Sequence, residues 1–352
     1  TLTYLMLFSA VTHAADSKTM LDQNGRTVVI PEKVDRIVSL VIPGASMVLT
    51  LDQNTDRLVG INPASKQETT LGLLSKLFPK YAEIPSNMAG EGFAPNVEAI
   101  MRTNPDLVLQ WGDKGDAIIK PMETMGLTVL TLKYGQTDYV ATWLRLIGDA
   151  SGKSVRGHQL ADWIMAEQTE MQQKLAGISN DQKPKVLYIH RYQGGILVGG
   201  QGSNMGYDIN LAGGINVAQA AKGLAATSKE QIAAWNPDVV LLSSAEPSLL
   251  AQVLMDDPIL SGIAAVKAGK VYKMPRGGFR WDPPSQETPL AWRWLAGLLH
   301  PNVYPLTDMR QRIASTYVDL YAQSVSESDI DHILNMNANG QRAGYAALKA
   351  GR

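Results

Sequence analysis

Apolar and polar positions along the chain follow two rhythms. Short apolar runs at 36–41, 58–61, 106–110 and 127–132, each bounded by Gly, Pro, Asn or Asp, read as buried strands, and the stretches between them are spaced as helices. The same alternation returns at 185–190, 196–198, 239–242 and 270–274. Between the two sets, 138–178 has no proline, and Trp143, Leu144, Ile147, Leu160, Trp163, Ile164, Met171 and Leu175 recur at helical spacing, interrupted by Gly152 and Gly157. Strands alternating with helices predict βαβ crossovers and mainly parallel sheets. The pattern divides into an α/β lobe at 15–137, a helical connector at 138–184, a second α/β lobe at 185–300, and a helical extension at 301–352 expected to pack on lobe two.

One segment occurs twice. Glu98-x-Ile100-x-x-x-Asn104-Pro105-Asp106-Leu107-Val108-Leu109 matches Glu230-x-Ile232-x-x-x-Asn236-Pro237-Asp238-Val239-Val240-Leu241 at an offset of 132 residues. Each copy reads as a short helix stopped at Asn-Pro and followed by a strand. The offset is too long for a solenoid, so it predicts two similar lobes with a cleft between them.

Composition narrows the classes. With 352 residues, 45% hydrophobic and 18% charged, there is enough chain for two cores, and a net charge of −1 gives no field for nucleic acid or an anionic membrane. The absence of cysteine removes disulfides, thiolate metal sites, Cys nucleophiles and a lipid-attachment cysteine. Residues 1–14 carry no formal charge, and the apolar run from Leu2 to Val11 ends in Thr12-His13-Ala14, as the back half of a secretory signal does. The expected location is therefore the periplasm, exported and not lipid-anchored.

No familiar catalytic or cofactor motif survives inspection. The segment from Gly199 to Gly206 is not G-x-G-x-x-G in any frame, no phosphate-binding P-loop occurs, and Ser203 lacks the glycines of a nucleophile elbow. Histidines show no zinc spacing; His190, at the end of a strand, is the one weak candidate metal ligand. The ends of the strands are more informative. Gly44 to Ser46, Trp111, Arg191 with Tyr192, and Arg276, Arg280 and Trp281 follow four strand ends drawn from both lobes. Ligands of open α/β sheets gather there, and arginines with aromatics suit an anionic, flat-sided ligand. Asn204, in the Gly-rich segment, adds a polar group. No nucleophile sits beside a base, so the crevice reads as a binding site and the protein as no enzyme. Glu98 and Glu230 occupy equivalent first-turn positions. Thr227-x-x-Glu230 reads as a capping box, and the pair also reads as two docking points for a two-fold symmetric partner.

The paired helix-Asn-Pro-Asp-strand units, the helical connector and the leader together resemble the periplasmic binding proteins of ABC importers for iron-siderophores, haem and cobalamin. The resemblance covers about residues 22–300 and implies two Rossmann-like lobes joined by a long rigid helix, with slight closure. It also implies that Glu98 and Glu230 meet arginines of a permease dimer in the inner membrane. The extension after His300 and the run from Arg276 to Pro284 are similar to a subgroup that includes molybdate and tungstate binders. The expected ligand is an anionic metal chelate, first an iron(III)-siderophore, with molybdate or tungstate as the alternative; no cofactor of the protein's own is expected. The expected ligand residues are Ser46, Trp111, Arg191, Tyr192, Asn204, Arg276, Arg280 and Trp281. A metal-dependent hydrolase with an unrecognised site and a chelate-sensing module without transport are the readings from other classes.

Overall fold

The short apolar runs become the strands of two sheets, because each is too short to bury itself as a helix and too apolar to remain at the surface. The computed structural model describes residues 17–134 and 138–349; the expected leader at 1–14 lies outside the described residues. A hairpin of β1 (Ser17–Leu21) and β2 (Thr27–Pro31), turned at Gly25 (φ +72°), precedes lobe one. Lobe one is a four-stranded parallel sheet in the order β4-β3-β5-β6, from β3 (Ile37–Ser39), β4 (Leu58–Ile61), β5 (Leu107–Trp111) and β6 (Val129–Leu132). Its helices are α1 (Gly44–Asp52), α2 (Pro63–Leu71), α3 (Leu74–Leu77), α4 (Val97–Arg102) and α5 (Lys120–Thr124).

The connector is a helical hairpin of α6 (Tyr139–Ala150) and α7 (Ser154–Leu175). Gly152, at φ +75°, makes the turn between them as expected. Gly157 does not interrupt the connector: it lies inside α7 against Gly148 of α6. A Cβ at Gly157 would sit 3.1 Å from the Gly148 Cα and 2.5 Å from the Leu144 carbonyl oxygen, so both helices approach to backbone contact only because neither carries a side chain there.

Lobe two contains β7 (Lys185–Arg191), β8 (Ile196–Gly199), α8 (Asn204–Leu211), β9 (Ile215–Asn216), β10 (Leu224–Thr227), α9 (Lys229–Trp235), β11 (Val239–Leu242), α10 (Ala251–Met255), α11 (Ala264–Lys267) and β12 (Val271–Lys273). Its sheet is mixed. β7, β11 and β12 run parallel, as do β7 and β9, but β8 pairs antiparallel with both β7 and β10.

The repeated segments fold alike down to single bonds. Asn104 and Asn236 both end their helices at φ +44°, in the left-handed region that Asn tolerates, and proline follows each. The Asp106 carboxylate accepts the Arg36 amide (2.9 Å), and the Asp238 carboxylate accepts the Lys185 amide (2.8 Å). Arg36 and Lys185 then donate their side chains to the last carbonyls of α4 and α9, Thr103 and Trp235. The cap of α9 is Ser228, one residue later than the expected Thr227; its hydroxyl accepts the Gln231 amide.

The C-terminal helices α12 (Thr288–Leu299), α13 (Met309–Tyr321), α14 (Glu327–Ile333) and α15 (Met336–Asn339) are not confined to lobe two. Asn339 donates to the Lys273 carbonyl and Tyr345 stacks on Tyr272 there. On lobe one, Tyr321 packs edge-on against Phe78, and Lys76 pairs with Asp329 at 2.5 Å. One apolar cluster accordingly runs from lobe one through α6 and α7 into α12 and α13, with a separate one in lobe two around Leu187, Ile189 and Val240. The extension braces both lobes. Gly157→Val is expected to lower stability by about 1–3 kcal/mol in urea denaturation, as overpacking does. Gly177→Ala, with open space around its Cβ, should change it by no more than about 0.5 kcal/mol.

Candidate functional site: the cleft between the lobes

The carboxyl end of β6 delivers Tyr134, and α6 opens on Tyr139, whose ring stacks on Tyr134 with centroids 5.6 Å apart. Trp143 packs tilted against both rings, and Trp111 stands edge-on behind them, 5.5 Å from Trp143 and 6.3 Å from Tyr134. Lobe one therefore contributes an aromatic wall. Behind it, buried Gln110 donates its amide to the carbonyls of Phe93 and Ile118 and fixes the loops flanking Trp111.

Lobe two contributes a polar floor. The Gly-rich segment turns at Gly202 (φ +77°) and runs against the backbone of 221–223, with Gly200 and Gln201 donating to the carbonyls of Gly223 and Ala221. Ser203 then caps α8 by accepting the Gly206 amide at 3.0 Å. The first amides of α8 have no intrahelical acceptor and stand at the cleft floor. Two adjoining chambers result, sharing Tyr134, Gly202, Ser203 and Asn204. The larger, about 540 Å³, extends over Tyr139, Tyr207, Asn210 and Gln219. The smaller, about 260 Å³, ends on Tyr188, His190, Arg280 and Asp282.

Asp282 organises the smaller chamber. Its buried carboxylate accepts the hydroxyls of Ser243 (2.7 Å), Ser244 (2.5 Å) and Tyr188 (2.9 Å) and the Ser244 amide (3.1 Å), with Arg280 at 3.9 Å. Burial alone would raise its pKa, but Arg280 and these hydroxyls outweigh burial and hold it below the usual carboxylate value. Tyr188 has one proton and gives it to Asp282, which can only accept. The 3.2 Å contact between the Tyr188 oxygen and His190 Nδ1 therefore requires Nδ1–H to be the donor. Burial also pushes His190 below the ordinary histidine pKa. His190 is thus neutral at pH 7, with its lone pair on Nε2, and Nε2 has no hydrogen-bond partner among the described residues.

Deeper in the floor, Asn204 joins the lobes. Tyr139 donates its hydroxyl to the Asn204 side-chain oxygen, and the Asn204 amide donates to Asp208 (2.9 Å) and to the Asp282 carbonyl (2.8 Å). Burial lifts Asp208 to about 7, against hydrogen bonds from Trp292 and Asn204.

Comparison with known proteins places this cleft. Residues 43–276 match the periplasmic binding protein family. The chain belongs to that family. It is 26% identical over 343 residues to the molybdate-binding protein MolA of Haemophilus influenzae, covering 91% of this chain and 95% of that one. A periplasmic solute binding protein of Veillonella parvula superposes with a TM-score of 0.84 at 28% identity, covering 93% of this chain and 99% of that one. The structure of MolA bound to molybdate gives 0.76 at 24% identity, over 88% and 99%. The two-lobed α/β fold and the family resemblance drawn from the repeat are both borne out.

The expected ligand residues scatter. Asn204 and Arg280 line the cleft, as does His190, and Trp111 stands one layer behind Tyr134. Arg276 is 8% exposed and locked to Glu68 (2.6 Å) and the Ser244 carbonyl. Trp281 is 1% exposed with its indole N–H on Glu287, and Ser46 is buried against Pro43 and Gln286. Arg191 lies exposed, donating to the Gly195 carbonyl, and Tyr192 donates to Asp257 under Lys229, outside the cleft lining. The arginine-lined crevice expected from the strand ends is reduced to Arg280, because Arg276 is buried against Glu68 and Arg191 lies outside the cleft lining. Tyr134 obeys the strand-end rule and was legible by it; Tyr139, Tyr188 and Tyr207 reach the cleft only through tertiary placement.

Because Asp208 holds its proton more tightly folded than unfolded, its contribution is complete at acid pH and is lost as pH rises towards 7. Wild type should therefore lose a few kcal/mol more stability between pH 5 and 8 than Asp208→Asn. Thermal denaturation at several pH values measures this; parallel profiles would refute it.

Proposed function

We propose that the protein captures a metal chelate, an iron(III)-siderophore first, in this cleft and delivers it to an ABC permease from the periplasm. The observation that carries the reading is His190, which lines the smaller chamber and whose tautomer is fixed by the Tyr188–Asp282 pair, leaving a neutral Nε2 lone pair with no hydrogen-bond partner among the described residues. Such a nitrogen is a metal ligand held in its binding state. Among the described residues no group of three or more His, Cys, Asp or Glu is placed to hold a bare ion. A chelate that brings most of its own donors needs only one or two from the protein. The cleft volumes of about 540 and 260 Å³ suit an organic ligand of that size.

Molybdate is the second reading, favoured by the 26% identity to MolA and by Arg280 lining the same chamber as Asn204 and Met205 at the start of α8, groups that could hold an oxyanion. Titrating the aromatic-wall fluorescence separates the two. Under the chelate reading, ferric complexes of tetradentate chelators saturate the protein, and His190→Ala weakens them at least tenfold. Affinity should hold at pH 7 and fall only below the ordinary histidine value of about 6.5, when Nε2 gains a proton. Saturation by molybdate alone, unaffected by His190→Ala, would refute it.

Glu98 and Glu230 support the delivery step. Each stands exposed at the second position of its repeated helix, and each such helix starts at the carboxyl end of its lobe's strands, the end at which the cleft opens. Charge reversal at both, Glu98→Lys with Glu230→Lys, should abolish uptake into cells and leave ligand affinity intact; surviving uptake would sink the docking role.

A further inference from the structure

We infer that the cargo carries no net negative charge and presents an uncharged, hydrogen-bonding organic body, as the ferric complex of a hydroxamate chelator does and that of a catecholate does not. The inference rests on the chelate reading above and concerns the charge of that chelate.

The larger chamber, about 540 Å³, has no charged side chain in its lining among the described residues. Its surface is phenolic and amide, with Tyr134, Tyr139 and Tyr207 beside Gln201, Asn210 and Gln219. The side chains of Gln201, Asn210 and Gln219 have no hydrogen-bond partner among the described residues and are exposed, so each offers both a donor and an acceptor. Gln168 donates to the Tyr207 oxygen, which leaves the Tyr207 hydroxyl proton free to donate.

The charges nearby do not favour an anion. Among the described residues Arg280 is the one arginine lining the smaller chamber, and Glu68 (3.0 Å) and Asp282 (3.9 Å) already oppose it. Arg276 is consumed by the same Glu68. Asp208 lies buried beneath Asn204. Arg276 and Arg280 are thus already paired with Glu68 and Asp282, and neither projects into the larger chamber. Bringing an anionic body out of water into this space would cost its hydration with no counter-charge to offset it. A body of carbonyl and N–O groups meets the amides and phenols directly.

The test keeps four oxygen donors and open metal positions and changes the charge together with the chelating group, and the lysine variants isolate the charge. Ferric complexes of a bis-hydroxamate and of a bis-catecholate both leave metal positions open for His190, but the first is singly cationic and the second singly anionic. Calorimetric titration of the full protein should give at least tenfold tighter binding of the bis-hydroxamate complex, and the gap should narrow as salt is raised. Gln219→Lys or Asn210→Lys, both at exposed positions, should strengthen the bis-catecholate complex several-fold without strengthening the other. Equal or tighter binding of the bis-catecholate complex by wild type would overturn the inference and leave the chelate reading standing. Binding of molybdate with neither iron complex bound would overturn both.

Discussion

A charged carboxylate without solvent contact has to be surrounded by donors, and the cleft is arranged around the way Asp282 meets that demand. Ser243 and Ser244, just past β11, supply two hydroxyls and an amide; Tyr188 on β7 supplies a third hydroxyl; Arg280 supplies the counter-charge. Each donor carries a consequence. Tyr188, spent on Asp282, must accept from His190 and so sets its tautomer. Arg280, drawn towards Asp282 and Glu68, is partly neutralised before any ligand arrives. Lys273, whose ammonium donates to the carbonyls of Ser243, Glu246 and Leu249, pins the loop that bears the serines. Burial lowers its pKa to about 8, so this pin is still largely charged at neutral pH.

A second buried carboxylate performs the equivalent task for the frame. Glu287 accepts from the Gly278 amide, the Trp281 indole and the hydroxyls of Tyr317 and Tyr321. Burial raises its pKa despite those bonds. Glu287 lies beside Gln286, which bonds Ser46 of α1, so lobe one, the 275–288 strap and α13 meet at one point. With Glu68 of α2 hydrogen-bonded to Arg276 and ion-paired with Arg280 across the lobes, the two halves are joined by groups that cannot separate without leaving charge unpaired. Wide opening of the cleft is therefore costly, and recognition falls to side chains already in place.

The repeat made most of this architecture legible. Asn-Pro-Asp punctuation located both αβ units, since a left-handed Asn ahead of proline ends the helix and the following Asp anchors the neighbouring strand's first amide. The β1–β2 hairpin escaped because its buried residues alternate with exposed ones, Val28 and Ile30 facing the core and Leu21 and Val29 facing solvent, so no continuous buried run marks it. The site was less legible. Arg276, Arg280 and Trp281 follow a strand end as a ligand loop would, but Glu68, on a distant segment, claims both arginines, and Glu287, later in the same strap, claims the indole. Sequence shows which groups could bind a ligand; it does not show which the fold has already committed.

The same distinction explains how two copies of one unit make an unequal cleft. Their backbones match, yet lobe one closes its sheet with Trp111 and Tyr134, and lobe two closes its sheet with His190 and the amide-rich rise into α8. An aromatic wall gives contact area without demanding hydrogen bonds, and an amide floor supplies them without imposing charge. On the proposed chelate reading, His190, the one imidazole in the cleft lining among the described residues, would hold the metal at the narrow end, and the uncharged chamber would take what surrounds it. Selectivity on this plan comes from one coordination bond and the cost of dehydrating the remainder, so the wide chamber discriminates against charge more sharply than against shape.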